Sequence, residues 1–211
     1  MLLSLVSDQD KMWQRFKPEI RNRVRKAKKS GLVASSGGRE LLGEFYQVWT
    51  MRMRQLGTPC YPESLFTAIL ETFPKQSRIF VVRLGSTAVG AAFINSFNGL
   101  AQCRWAATRV EFNRLAPNTL LYWSAISHYS LAGDRVFDFG RSTVDSSQYE
   151  FKRRWGALPV QLYYQYWTAP GHEFSQVRPD SPKYAARVER WKKLPLSITR
   201  VVGPHISRNL P

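Results

Sequence analysis

Residues 137–159 read FDFGRSTVDSSQYEFKRRWGALP, and most of the chain's chemically able side chains fall inside this run. Asp138 stands between Phe137 and Phe139, so a strand here turns its carboxylate to the face opposite both rings. From that face it can accept a proton or orient Arg141. Gly140 supplies a backbone conformation that other residues reach only at a cost. Arg141, Ser142 and Thr143 then offer a guanidinium and two hydroxyls, a set suited to phosphate or carboxylate and equally able to stabilise a turn. Lys152 follows, beside Arg153 and Arg154, on a short helix expected from Ser147, where Ser147 and Glu150 have the S-x-x-E spacing of a capping box. Tyr149 and Trp155, six residues apart on the same helix, suit either stacking on a base or sugar or a place in the core.

Other chemistries lack their residues. There is no G-x-S-x-G nucleophile elbow, and neither Cys60 nor Cys103 sits beside a histidine, so no covalent enzyme intermediate is expected. Two cysteines cannot build a disulfide framework, and no CxxC or Cys/His cluster points to zinc. Neither a metal nor another cofactor is expected. The 31 Lys and Arg against 15 Asp and Glu give a net charge of +16, which points to an anionic partner such as RNA, a phosphate-bearing precursor or an anionic membrane surface. The same excess can also serve solubility alone. Residues 1–6 are apolar but lack a basic n-region and a small-residue cleavage site, so they are not expected to be a signal peptide. No run approaches the ~20 apolar residues that cross a bilayer. A cytoplasmic protein with at most peripheral contact with the inner membrane is expected.

These residues need a scaffold. LLSLV near the start predicts the end of a buried strand, followed by a helix from Ser7 or Asp8. Pro18 suits the first turn of a second helix, EIRNRVRKAKKSG, closed by Gly31. On it Phe16, Ile20, Val24 and Ala27 form a narrow apolar seam, and six cations (Arg21, Arg23, Arg25, Lys26, Lys28, Lys29) lie within nine residues. Apolar periodicity predicts helices over 39–55 and from Pro62 to Phe73. Three antiparallel strands joined by tight turns follow, RIFVVRL, TAVGAAFINSF and LAQCRWAAT. A helix from Pro117 to Gly133, apolar on most sides, should be buried. Next come the strand RVFDF, the short helix, an aromatic strand VQLYYQYW, a polar loop, a helix near 183–193 and a Pro-punctuated tail. The order predicts an α+β domain with helices on a mainly antiparallel sheet.

FDFGRST…FK..WGA resembles a signature in the second domain of FemAB-like proteins, particularly those accompanying exosortase (PEP-CTERM) and extracellular-polysaccharide systems. KPEIRNRVRKAKKSGL near the start, GTPCYPESLF at 57–66 and WKKLPLSITRVVGPHISRNLP at the end agree with it, so the likeness extends over nearly the whole chain. The resemblance implies the GNAT superfold, in which a strand-helix-strand unit opens as a V around the acyl donor. Because such proteins carry two GNAT-like domains in tandem, it also implies that 1–35 is the remnant of a preceding domain plus a basic linker helix. Residues 36–211 would then be the C-terminal GNAT-like domain, with a first domain supplied separately.

Relatives of known chemistry transfer an amino acid from aminoacyl-tRNA to the amine of a peptidoglycan precursor. The resemblance therefore implies an acyltransferase, with an anionic cell-envelope or polysaccharide precursor as acceptor. It places Lys152 at the reaction centre, where an ammonium offsets charge on the tRNA 3′ end or on the tetrahedral oxyanion. Along the basic helix it points to Lys17, Arg21, Arg25 and Lys26 as lining the tRNA or nucleotide-sugar site, and Tyr61 in the GTPCY loop can reach the substrate. Ordinary GNAT enzymes bind the coenzyme A pyrophosphate on a Gly-rich loop before a helix. The corresponding stretch here, TRVEFNRLAPNT, has no glycine, which favours aminoacyl-tRNA as donor over acyl-CoA. Two alternatives stay open: a non-catalytic RNA- or polyanion-binding domain, and an acyl-CoA-dependent N-acetyltransferase.

Overall fold

The computed structural model describes residues 1–171 and 182–208, with the backbone alone at 182–184. The chain divides into two compact units, Met1–Arg52 with Glu63–Pro159, and Met53–Pro62 with Val160–Pro211.

The first unit holds an α+β fold. Strand β1 (Leu2–Ser4) precedes helix α1 (Gln9–Arg15), which Asp8 caps by accepting the N–H groups of Asp10 and Lys11. Pro18 occupies the first turn of α2 (Pro18–Lys29), and Ile20, Val24 and Ala27 form its buried seam. Next come β2 (Leu32–Gly37), a single 3-10 turn at Arg39–Leu41, α3 (Leu42–Leu56) and α4 (Glu63–Thr72). The meander β3 (Ser77–Leu84), β4 (Thr87–Phe97) and β5 (Leu100–Thr108) leads to α5 (Pro117–Leu131), β6 (Val136–Asp138) and α6 (Ser147–Arg154).

Six strands form one sheet in the order β1-β6-β5-β4-β3-β2, antiparallel except where β5 runs parallel to β6. Alternation along the strands splits the core into two layers. Phe80, Val82, Ala92, Ile94, Ala101 and Phe137 face α1, α2 and α5. On the other face Phe66 of α4 meets Phe45 at 5.0 Å, Trp49 at 5.1 Å, Phe93 at 5.7 Å and Trp105 at 5.1 Å. Each such aromatic pair contributes about 0.5–1.5 kcal/mol beyond area burial. Residues 1–35 share this sheet and core: β1 pairs with β6, and Leu3, Met12, Phe16 and Val24 are buried in the layer against α5.

Several sequence expectations change. β2 carries the small, half-polar run LVASSG, too weakly alternating to read as a strand, yet all six of its residues pair with β3, from Leu32 opposite Leu84 to Gly37 opposite Ile79. Ser146, one residue before the expected cap, caps α6: its Oγ accepts the Tyr149 N–H, while Glu150 pairs with Arg153. VQLYYQYW forms no strand. Leu158 bridges to Leu2, and beyond it the aromatic run has no partner strand among the described residues, so its β-propensity finds no pairing there. Most of the expected polar loop, 172–181, lies outside the described residues.

In the second unit the last turn of α3 and the loop to Pro62 join α7 (Pro182–Lys193) and α8 (Leu196–Ser207), which replaces the expected Pro-punctuated tail. The Arg54 guanidinium donates to the Leu194 carbonyl at 3.1 Å, and the Cys60 thiol to the Thr199 carbonyl at 3.4 Å. Gly203 lets α8 approach this loop: a Cβ there would lie 2.9 Å from both the Cys60 backbone nitrogen and its Sγ. Gly203→Ala should therefore destabilise the second unit by about 1–3 kcal/mol, read as faster limited proteolysis within 160–208. Among the described residues no helix is long and apolar enough to cross a membrane.

Candidate functional site

β5 and β6 pair only through Leu100, Ala101 and Gln102 opposite Val136, Phe137 and Asp138. From Cys103 to Thr108 the edge of β5 that faced β6 carries no strand, so the sheet opens there. At the same point the register against β4 jumps: Phe93 faces Trp105 but Ile94 faces Cys103, leaving Arg104 as an extra, bulged residue. A bulge next to an opening re-aims backbone N–H groups, and such bulges concentrate beside active sites.

One wall of the opening is the segment after β6. Asp138 accepts the Gly140 N–H at 2.8 Å and the Gln102 side-chain amide at 3.0 Å. It thus fixes the turn instead of pairing with Arg141. Gly140 sits at φ +76°, a conformation that residues with a Cβ rarely adopt, and packs on β5, where a Cβ would make ordinary contact with the Cys103 carbonyl at 3.5 Å. Lys152 reaches back from α6, and its Nζ donates to the carbonyls of Gly140 at 3.2 Å and Arg141 at 2.8 Å. It is buried, not a surface lysine. Burial lowers its pKa, partly countered by Cys103 and Asp138. An ammonium has three protons, and two are used on the carbonyls. The third has no acceptor among the described residues.

Behind it lie Cys103 and Tyr122, both buried, with Sγ and the phenol oxygen 3.8 Å apart. Burial pushes the Cys103 thiol up to about 12 and the Tyr122 phenol well above its ordinary value. A thiol so disfavoured as thiolate is no nucleophile. Cys103 should resist alkylation at pH 8 in the folded protein and react on unfolding, measured by mass spectrometry of the labelled peptide.

The opening leads to a cavity of about 430 Å³ at the N-terminus of α5, lined by Thr108, Asn113, Arg114, residues 116–119, Phe151, Arg23 and Lys26. Ala116 adopts the left-handed conformation (φ 60°, ψ 43°) that glycine usually supplies, and no side chain caps the helix. Pro117 has no N–H, and Thr119 and Leu120 donate theirs to the Ala116 carbonyl at 3.1 and 3.3 Å, so the Asn118 N–H is what the first turn offers an anion, with the helix dipole and three cations beside it.

A family profile described as an acetyltransferase (GNAT) domain matches residues 14–153. The chain belongs to the GNAT acetyltransferase-domain family. Among solved structures, FemX is 16% identical with a TM-score of 0.66, covering 75% of this chain and 58% of that one. The C-terminal domain of a lysylphosphatidylglycerol synthetase from Agrobacterium fabrum is 14% identical with a TM-score of 0.55, covering 74% and 56%. An aminoglycoside acetyltransferase from an uncultured soil metagenomic sample, in complex with sisomicin, is 15% identical with a TM-score of 0.55, covering 67% and 98%. These likenesses show the fold. The chain spans less than two thirds of the length of FemX and of the synthetase structure. No match was found among curated proteins.

Within this GNAT domain the structure gathers only part of the residues singled out from the sequence. Asp138, Lys152 and the Arg141 backbone converge. The Arg141 side chain and Thr143 are exposed, while the Ser142 Oγ is buried with no hydrogen-bond partner among the described residues. Tyr149 is half-buried on α6. Of Lys17, Arg21, Arg25 and Lys26, the basic-helix residues singled out as lining a site, only Lys26 lines the cavity. The apolar seam of α2 puts Arg21 and Arg25 on the opposite flank, where the Arg25 guanidinium lies 5.6 Å over the Trp13 ring. Tyr61 belongs to the second unit. Arg23 and Arg114 were missed. Their signals were present: Arg23 is three residues from Lys26 on one helical flank, and Arg114 shortly precedes the helix-starting Pro117.

Proposed function

We propose that this GNAT domain transfers an acyl group from a phosphate-bearing donor to an amine. The supporting observation is the cationic cavity at the α5 N-terminus, next to the opening where β5 and β6 part and Lys152 holds one wall. Donor phosphates seat at the positive end of the α5 dipole, on the Asn118 N–H and among Arg23, Lys26 and Arg114. The acyl carbonyl then lies along the unpaired edge of β5. The acceptor amine attacks it, the carbonyl oxygen gains negative charge, and the third Lys152 proton together with β5 N–H groups stabilises that charge. Collapse expels the donor oxygen or sulfur, and the amine gives up its proton to solvent.

The donor we favour is aminoacyl-tRNA and the acceptor an anionic cell-envelope or polysaccharide precursor of the kind made by exosortase-associated systems. The +16 charge and the likeness to FemX support this choice. Acyl-CoA is the second reading, favoured by Ala116: the turn before α5 forms without the glycine whose absence argued against coenzyme A. Incubation with charged tRNA or with acyl-CoA, each with a panel of amine acceptors, separates them. Ribonuclease-sensitive amide formation supports the first, and amide formation from acyl-CoA alone replaces it with the second. No amide from either donor would refute the transferase reading.

A further inference from the structure

Helix α8 is built inside out. It packs with Thr199, Gly203 and Ser207 buried, small groups at i, i+4 and i+8 that let it close on the Cys60 loop. Its branched aliphatics flank that seam and run round to the solvent side. Ile198 is 43% exposed, Val201 68%, Val202 39% and Ile206 37%. Their spacing of i, i+3, i+4 and i+8 makes one continuous apolar stripe. The same unit carries a second exposed apolar feature, the run 160–167, in which Tyr163 is 87% and Trp167 84% exposed. A chain that leaves both in water has a use for them.

The charges around these features select the occupant. Lys192 is paired with Glu189 at 2.6 Å, but from Lys193 to the end of the sequence there are three cations (Lys193, Arg200, Arg208) and no acidic residue, and residues 155–170 carry no charge at all. Two copies meeting stripe to stripe would bring like charges together. RNA would take the cations but gain nothing from exposed valines and isoleucines. An anionic bilayer satisfies both, because aliphatic side chains enter the acyl boundary, Lys and Arg meet lipid phosphates, and Tyr and Trp prefer the headgroup level. We propose that α8 and the aromatic run 160–167 dock the second unit on an anionic membrane surface, with α8 lying in the interface plane. Such docking would hold the acyltransferase domain where envelope precursors reside, but it does not depend on the transfer reaction.

The test is co-sedimentation of the full chain with vesicles of equimolar phosphatidylglycerol and phosphatidylcholine, and with vesicles of phosphatidylcholine alone. Binding is expected only with the anionic vesicles. The double variant Ile198→Ser, Val201→Ser should lose about tenfold or more in affinity, and Trp167→Ser should also weaken it. Because these side chains are exposed, the thermal midpoint should not move, which separates lost docking from lost folding. Equal affinity of the double variant, or no binding to anionic vesicles at low salt, would overturn the proposal. So would a dimer in sedimentation that the double variant converts to monomer, because the stripe would then be a self-association surface.

Discussion

Lys152→Met should lower turnover by about a hundredfold or more, the size expected when a charge aimed at a developing oxyanion is removed. The substitution also leaves the carbonyls of Gly140 and Arg141 without their donor, a cost of about 1–3 kcal/mol of stability. The two effects separate in a comparison with Lys152→Arg, which keeps the charge and can still donate to a carbonyl but carries a guanidinium of different shape. If Lys152 acts only as a clamp on the Gly140 turn, activity in both variants will follow the folded fraction measured by circular dichroism. If its third proton meets the oxyanion, Lys152→Met will be fully folded at low temperature and still slow. Stability should depend on pH with a defined sign. Burial lowers the folded-state pKa of Lys152 below its ordinary 10.5, so between the two values the unfolded chain binds more protons than the folded one. Wild-type stability measured relative to Lys152→Met should therefore rise as pH climbs through that window toward 10.5.

The second large effect is expected at the α5 cavity. Arg23→Gln, Lys26→Gln and Arg114→Gln should each weaken donor binding about tenfold, with losses that accumulate in the triple variant, because each removes a charge-assisted hydrogen bond to phosphate. Each should also reduce the slope of log affinity against log salt by about one. Arg25→Gln is the internal control. It removes the same charge from the other flank of α2, where the guanidinium covers Trp13. Non-specific attraction to the basic helix would make all four variants alike, whereas a built site distinguishes Arg25 from the other three.

The sequence carried the fold well where the physics is local and strong. The meander, the buried α5 and the amphipathic α3 and α4 follow from periodicity and turn residues, and all are present. Elements decided by partners were misread. LVASSG is a strand because β3 offers it an edge, and VQLYYQYW is not one because no strand lies beside it beyond Leu158. The site was legible in its individual residues and less so in its assembly. Asp138 was marked by its place between two phenylalanines and Lys152 by the family resemblance, but that Lys152 is buried and clamps the Gly140 turn follows from α6 folding back over β6. The cavity unites α2, the end of β5, α5 and α6, and convergence of four elements distant in sequence has no local signature. The missing glycine before α5 does not prevent the turn: Ala116 accepts the left-handed conformation itself, at the modest cost it imposes on a residue with a Cβ.

The central claim is direct transfer from a bound donor to an amine at the β5–β6 opening, without an enzyme-bound acyl group. Rapid-quench single turnover with a donor labelled in its acyl group, aminoacyl-tRNA in one arm and acyl-CoA in the other, tests it most directly. The predicted result is label passing from one of these donors to the acceptor amide while the protein, analysed by intact mass, never gains the acyl group. Label appearing on Lys152 or Cys103 before the amide forms, or no amide from either donor, would contradict it.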